Sequence, residues 1–178
     1  PGYLFFGKPG TGKTLSARII ATESDAKLVY AGGFPREKSK WSTTDVNKLF
    51  NLVEEYHDDT GEPVVVYFDE IDALCSKSQF NARRTDAASA LMSRLDGISG
   101  KMDGVVVIGA TNAPDQVHNA LMRPGRMGYQ IAFNPPGIDG KSDILDYYLD
   151  KKPHDEEIDT MSLSYVFPAK TTPAGIEE

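Results

Sequence analysis

The sequence predicts an α/β fold in which a parallel sheet lies between layers of helices. Five short apolar runs, each bounded by turn residues, alternate with helical patterns or long connections, as in folds built from successive strand and helix units. Two of the runs, Val64–Phe68 and Val105–Ile108, are continuously apolar, which is typical of strands covered on both faces. We therefore expect these two strands to be central in the sheet.

The elements follow one another in a regular order. The predicted strands are Gly2–Gly7, Lys27–Gly32, Val64–Asp69, Val105–Ala110 and Tyr129–Phe133. The predicted helices are Gly12–Glu23, Thr43–His57, Asn81–Asp96, Asp115–Met122 and Asp139–Lys151. Pro135 and Pro136 break the pattern after the fifth strand, and the strand signal disappears beyond them. Residues 1–136 are therefore predicted to form a large α/β domain, and residues 137–178 the beginning of a small helical subdomain.

Composition narrows the class of protein. The 178 residues are 40% hydrophobic and 25% charged, as in a globular chain, and the formal net charge of -7 disfavours nucleic acid as a partner. The single Cys75 cannot form an internal disulfide, which favours a reducing compartment, the cytoplasm or the nucleus. No apolar run approaches the length of a membrane span. Because the chain opens directly before a strand, we expect it to be a piece of a longer protein.

A complete phosphate-binding loop of the pattern G-x-x-x-x-G-K-T follows the first strand. Its glycines let consecutive backbone N–H groups point at phosphates, Lys13 adds a positive charge, and Thr14 offers a hydroxyl to Mg²⁺. A buried strand before the loop and an amphipathic helix after it provide the context that a chance glycine-rich turn lacks. We expect a nucleoside triphosphate to contact Gly7, Lys8, Pro9, Gly10, Thr11, Gly12, Lys13, Thr14 and Leu15.

Two acids end the third predicted strand. The carboxyl end of a buried strand is where open α/β sheets bind ligands, so Asp69 can hold the same Mg²⁺ as Thr14. Glu70, one residue further, can activate the attacking water. Taken alone, an acidic pair is more simply a solvated strand end. The phosphate loop earlier in the chain favours the chemical interpretation.

With these residues in place, the chain resembles the AAA ATPases. The phosphate loop is followed, in the family's order and approximate spacing, by Asp69–Leu74, Gly109–Asn112 and Ala120–Arg126. The resemblance covers residues 2 to about 133 and implies the P-loop NTPase fold. It also implies ATP hydrolysis with Mg²⁺ by a homo- or hetero-oligomeric ring, commonly a hexamer, with nucleotide held at subunit boundaries.

Further roles come from the resemblance, residue by residue. Asn112 resembles the polar sensor that orients the attacking water, although an Asn after a strand is by itself an ordinary turn residue. Arg123 and Arg126 resemble the arginine fingers, which stabilise charge on the transferring phosphoryl group in a neighbouring subunit. Without the other motifs they would be two surface arginines. The chain departs from the family at Met127–Tyr129, where an acid and a base are usual, and this puts the subunit contact in question.

A polar, basic loop after the second strand contains the only tryptophan. In AAA unfoldases the corresponding segment carries an aromatic residue that lines the central pore, so Lys40 and Trp41 are candidates for gripping an extended polypeptide. The alternative is that Trp41 packs against the edge of the sheet.

The motifs together are compatible with three functions. The leading hypothesis is a protein-remodelling motor, and the second is a nucleotide-controlled scaffold or switch. The third is a nucleic-acid motor or clamp loader, which the acidic net charge disfavours.

Overall fold

The computed structural model describes residues 2–33, 41–75, 86–101, 104–151, 154 and 158–177. The strands are β1 (Gly2–Gly7), β2 (Lys27–Tyr30), β3 (Val64–Phe68), β4 (Val105–Thr111) and β5 (Tyr129–Phe133). The helices are α1 (Lys13–Glu23), α2 (Thr43–Thr60), α3 (Ile71–Leu74), α4 (Asp86–Lys101), α5 (Ile138–Leu149), α6 (Thr160–Val166) and α7 (Ala174–Glu177). Short 3₁₀ turns occupy Ala31–Gly33 and Pro114–Gln116.

The five strands form one sheet in the order β2-β3-β4-β1-β5. The pairs β2 with β3, β3 with β4, and β4 with β1 are parallel. Every residue of β3 is buried, and both β3 and β4 lie inside the sheet, as their continuous apolar runs predict. The predicted α/β class and parallel sheet are confirmed.

Helices α2 and α4 cover the core on the side of β3. The helix α2 buries Val46, Leu49, Phe50 and Val53, which recur at helical spacing, and α4 buries Leu91 and Leu95 one turn apart. Arg94 of α4 joins the two helices by donating to Asn47 at 3.0 Å and to Glu54 at 3.0 Å. The two helices thus present a continuous apolar surface to the sheet.

One predicted helix is wrong. Only the 3₁₀ turn Pro114–Gln116 forms where Asp115–Met122 was expected to be helical. Val117 and Leu121 are both fully buried at helical spacing, but the backbone at Val117 is extended. The N–H of His118 donates to the carbonyl of Cys75 at 2.9 Å, so it is not available for a helical bond. An irregular segment that buries two side chains four residues apart has the same apolar pattern as a helix.

Other boundaries differ by a few residues. The helix predicted to end at Asp96 continues through Gly97 to Lys101, because a glycine inside a helix costs only about 1 kcal/mol and does not end it. The start predicted at Asn81 lies outside the described residues. The second strand ends at Tyr30 instead of Gly32, and the fourth extends by one residue to Thr111.

The chain divides into two compact units. Unit 1 is Pro1–Phe6 with Lys13–Ala132, and unit 2 is Gly7–Gly12 with Phe133–Glu178. In unit 2 the ammonium group of Lys141, only 3% exposed, donates to the carbonyls of Phe167 and Pro168 at 3.2 and 3.1 Å. The assignment of residues 137–178 to a lid subdomain stays a prediction. None of the helices in the described ranges has the length and apolar character needed to cross a bilayer.

Candidate functional site

The loop after β1 contains two glycines with positive φ angles. Gly10 and Gly12 have φ angles of 74° and 96°, in a region that residues with a Cβ rarely adopt. The hydroxyl of Thr11 donates to the carbonyl of Lys8 at 2.7 Å, and this hydrogen bond links the two ends of the turn. Pro9 also lies in the turn, and the side chain of Leu15 beyond it is 57% exposed. Nucleotide contacts for these residues stay a prediction.

Lys13 begins α1 and is 7% exposed. Its ammonium group donates to Oδ1 of Asn112 at 2.8 Å. Burial lowers the pKa of Lys13 from its ordinary value, and the nearby carboxylate of Asp69 opposes that shift by favouring the charged form. The structure therefore brings the lysine of the phosphate loop and the predicted sensor into direct contact.

Thr14 lies next to a residue that sequence reasoning missed. Its hydroxyl is 2.9 Å from the hydroxyl of Tyr67 in β3, and Tyr67 is 1% exposed. Burial raises the pKa of Tyr67 to about 12, the hydrogen bond with Thr14 opposes that shift, and the negative charge of Asp69 adds to it. In the sequence Tyr67 is one of five consecutive residues in a buried strand, so nothing in the pattern marks its hydroxyl.

The two predicted acids lie at the carboxyl end of β3, and both are exposed. Oδ1 of Asp69 accepts a hydrogen bond from the N–H of Glu70 at 3.0 Å. Glu70 adopts a left-handed conformation with φ 49° and ψ 48°, directly before α3. Such a conformation is uncommon for a residue with a side chain, and outliers of this kind cluster at functional sites.

A hydrogen-bonded bridge supports the segment that carries Asn112. The hydroxyl of Thr111, 1% exposed, donates to Oδ1 of Asp72 in α3 and accepts from the N–H of Ala113 at 2.9 Å. The side chain of Asn112 is exposed between these two anchored residues. The bridge connects the end of β4 to the helix that follows Glu70, and sequence patterns do not reveal it.

The two predicted finger arginines differ in their surroundings. Arg123 is exposed. Arg126 is half-buried and binds both oxygens of Asp96 at 2.8 and 2.9 Å, and it also donates to the carbonyl of Ala120 at 2.7 Å. The hydrogen bond from Arg126 lowers the pKa of Asp96, against a weaker opposing effect of burial. In this structure Arg126 is thus engaged within its own chain, and its role in a neighbouring subunit stays a prediction.

Trp41 is half-buried beside the apolar core. Its ring centroid lies 5.6 Å from that of Phe68 in β3. It directly precedes Ser42, which caps α2, so it occupies a position from which an apolar residue commonly packs back onto a helix. This placement matches the alternative in which Trp41 packs at the sheet. Lys40 lies outside the described residues, and the pore role of both residues stays a prediction.

The oxygen groups of unit 1 suit Mg²⁺. The hydroxyl of Thr14 and the carboxylate of Asp69 are hard donors, and Mg²⁺ is commonly held by one or two carboxylates together with substrate phosphates and water. Within the described ranges, no group of three or more His, Cys, Asp and Glu could hold a metal by itself. The donor set therefore fits a metal that arrives with a phosphate ligand.

The sequence matches a known protein family. A family model described as "ATPase family associated with various cellular activities (AAA)" matches residues 3–135. The human ATP-dependent zinc metalloprotease YME1L1 is 35% identical over 161 residues, which are 89% of this chain and 20% of that protein. The ATP-dependent zinc metalloprotease FtsH 1 of Petrotoga mobilis is 36% identical over 179 residues, covering 97% of this chain and 26% of that protein.

A third relative carries a different name. The Cell division cycle protein 48 homolog of Archaeoglobus fulgidus is 34% identical over 165 residues, covering 92% of this chain and 22% of that protein. The chain thus spans 20–26% of the length of these three relatives. The resemblance drawn from the four ordered motifs is confirmed by the family match. The chain belongs to the ATPase family associated with various cellular activities, the AAA family.

Proposed function

We propose that this AAA chain hydrolyses Mg-ATP within an oligomeric ring and uses the energy to remodel polypeptide substrates. The observation that carries the proposal is the 2.8 Å contact between Nζ of Lys13 and Oδ1 of Asn112. It brings together a cation suited to phosphate, at the start of α1, and an amide suited to water, directly after β4. Thr14, Asp69 and Glu70 belong to the same unit.

Each residue then has a chemical task. Lys13 binds the outer phosphates as a point charge, and Thr14 and Asp69 hold the metal, which when bound polarises the phosphoryl oxygens. Glu70 accepts a proton from the attacking water, because a carboxylate within reach of the water acts as a general base. Asn112 orients that water. Its amide oxygen accepts a hydrogen bond from Lys13, which fixes the orientation of the amide.

The arginines support the proposed ring. A guanidinium that faces the transferring phosphoryl group contributes on the order of 10³–10⁵ in rate, so a subunit that lacks a neighbour should hydrolyse ATP poorly. Arg123 is the better candidate for this role because it is exposed, whereas Arg126 is held by Asp96. A homo- or hetero-oligomeric ring, with six subunits as the expected number, supplies the missing group at each boundary.

The polypeptide substrate is supported by two observations. Two of the relatives are named as ATP-dependent metalloproteases, enzymes whose substrates are polypeptides. The net charge of -7 gives no broad attraction for the phosphates of a nucleic acid. We assign Lys40 and Trp41 to the pore only as part of this proposal, since Trp41 packs beside Phe68 in the present structure.

Glu70→Gln tests the assignment directly. The amide keeps the shape of the side chain but cannot take the proton, so kcat should fall by about 10²–10⁴-fold while ATP affinity stays within about twofold. Binding is measured by titration calorimetry and turnover by phosphate release on the assembled protein. Glu55→Gln, the same change at an exposed position of α2, is the matched control and should alter neither quantity. Full hydrolysis by the Glu70→Gln ring would sink the assignment.

A nucleotide-controlled scaffold is the second candidate. It is favoured by the pairing of Arg126 with Asp96, which occupies one predicted finger inside its own subunit. Adding an unfolded polypeptide or DNA distinguishes these functions. A protein-remodelling motor increases its rate of ATP hydrolysis when it engages a polypeptide, whereas the rate of a scaffold responds to neither addition. Stimulation by DNA alone would instead indicate a nucleic-acid motor.

A further inference from the structure

Two tyrosines on neighbouring strands face the helix that follows the phosphate loop. Tyr30 of β2 and Tyr67 of β3 are direct partners in the sheet register. Their rings meet edge to face, with centroids 5.6 Å apart and an interplanar angle of 75°. The hydroxyl of Tyr67 pairs with Thr14 of α1, and the hydroxyl of Tyr30 accepts from Nε of Arg18. Thr14 and Arg18 are four residues apart, so they lie on the same face of α1.

The two tyrosines differ in their exposure to solvent. Tyr67 is 1% exposed, whereas Tyr30 is 36% exposed and its contact with Arg18 lies at the surface. A phenolic hydroxyl in a fully buried strand loses the free energy of hydration unless it finds a partner. A phenylalanine would fill the same volume without that cost. The buried hydroxyl therefore needs a reason beyond packing.

The groups around the Tyr67 hydroxyl are the two candidate metal ligands. The hydroxyl of Thr14 is 2.9 Å away, and Asp69, two residues further along the chain, is close enough for its negative charge to raise the pKa of Tyr67. A threonine hydroxyl has one proton and two lone pairs. When a lone pair of Thr14 faces a cation, its proton must go to an acceptor, and the oxygen of Tyr67 is within reach. This hydrogen bond then fixes the direction of the Thr14 lone pair that faces the cation.

We propose that Tyr67 is a positioning residue for the Mg²⁺ of the ATP site, acting through its hydrogen bond to Thr14. The inference rests on the proposed Mg-ATP function, since it assigns Tyr67 the role of orienting a ligand of that metal. Groups that orient metal ligands in this way typically change metal affinity or activity by 10–100-fold when they are removed, which sets the expected magnitude at about 10-fold or more.

The test compares Tyr67→Phe with Tyr30→Phe, both in the Glu70→Gln protein so that ATP is not consumed. Each change removes one phenolic oxygen from the same tyrosine pair. Calorimetry measures ATP affinity in EDTA and in rising concentrations of Mg²⁺. Tyr67→Phe should raise the Mg²⁺ concentration needed for tight ATP binding by about 10-fold or more and leave the affinity in EDTA within about twofold. Tyr30→Phe should change neither value.

A second comparison separates positioning from packing. In a Thr14→Ala protein the hydroxyl partner is gone, so adding Tyr67→Phe should change the Mg²⁺ dependence far less than it does in the presence of Thr14. If Tyr67→Phe does not fold, 3-fluorotyrosine at position 67, whose oxygen is a weaker acceptor, should shift the Mg²⁺ dependence in the same direction.

Two results would overturn the inference, and they are distinguishable. Folded Tyr67→Phe with the Mg²⁺ dependence of its parent would remove Tyr67 from the metal site while leaving the proposed function intact. A parent protein whose ATP affinity does not respond to Mg²⁺ at all would overturn the proposed function, and the inference with it.

Discussion

Asp96 helps to hold the guanidinium of Arg126 within its own chain. Its two oxygens accept hydrogen bonds at 2.8 and 2.9 Å, and the side chain of Asp96 is 53% exposed. A pair of this geometry at a solvated position stabilises a protein by about 1 kcal/mol or less, because solvent screens the charges. The pair therefore matters more for the position of Arg126 than for the stability of the fold.

The effect of Asp96→Asn on the stability of the fold should depend on pH. The pKa of Asp96 is lower in the folded chain than its ordinary value, so the pair stabilises the fold above the unfolded pKa of about 3.9 and loses that contribution as the pH falls further. We expect the variant to be less stable than the parent by about 1 kcal/mol or less at pH 7, with the two converging towards pH 3. Urea unfolding at both pH values measures this.

Asp58→Asn controls for the change in net charge, since Asp58 is another exposed carboxylate in unit 1. A stability difference between the parent and Asp96→Asn that is the same at pH 7 and pH 3 would show that the ion pair is not its cause.

At the scale of single residues, sequence reasoning finds motifs but not their partners. The phosphate loop and the acidic pair are short contiguous patterns, so their residues can be named from the sequence. The contacts of Tyr67 with Thr14, of Thr111 with Asp72 and of Arg126 with Asp96 join positions 53, 39 and 30 residues apart. Local periodicity carries no signal for pairs this far apart, so only the fold reveals them.

At the scale of elements, α2 begins with a capping box. The hydroxyl of Ser42 accepts from the N–H of Asp45 at 3.2 Å, and the carboxylate of Asp45 accepts from the N–H of Ser42 at 2.9 Å. Ser42→Ala removes one of these bonds and should lower the free energy of unfolding by about 1 kcal/mol. Thr44→Ala, at an exposed position in the first turn, should change it by less than about 0.5 kcal/mol. Equal losses in thermal or urea unfolding would contradict the cap assignment.

Elements with two independent signals are predicted well. The strands β3 and β4 combine continuous apolar runs with turn residues at their ends, and both lie inside the sheet. The segment Asp115–Met122 had only helical spacing, and that spacing arose because Val117 and Leu121 reach the core from an irregular backbone. The spacing of apolar residues therefore indicates which side chains are buried. Whether the segment is a helix depends on its backbone hydrogen bonds.

At the scale of the whole molecule, strand order explains why the candidate residues of unit 1 converge. The neighbours β3, β4 and β1 are followed by Asp69, by Asn112 and, after the loop, by Lys13. The sequence predicts that the sheet is parallel, which places these residues at one edge. It does not predict that β1 inserts between β4 and β5, because that order depends on contacts between distant parts of the chain.

The proposal that Arg123 completes the site of a neighbouring subunit predicts that two inactive variants restore each other. Arg123→Ala keeps Glu70 but offers its neighbour no guanidinium, and Glu70→Gln keeps Arg123 but cannot activate water. In a randomly mixed ring with head-to-tail contacts, about one boundary in four joins an intact Glu70 to an intact Arg123. Mixing equal amounts should therefore recover about a quarter of the parent rate of phosphate release, if the boundaries act independently. Arg123→Ala mixed with the Glu70→Gln/Arg123→Ala double variant is the control and should stay inactive, because no subunit in it carries Arg123. If the first mixture assembles and stays as inactive as the control, Arg123 does not act in a neighbour's site.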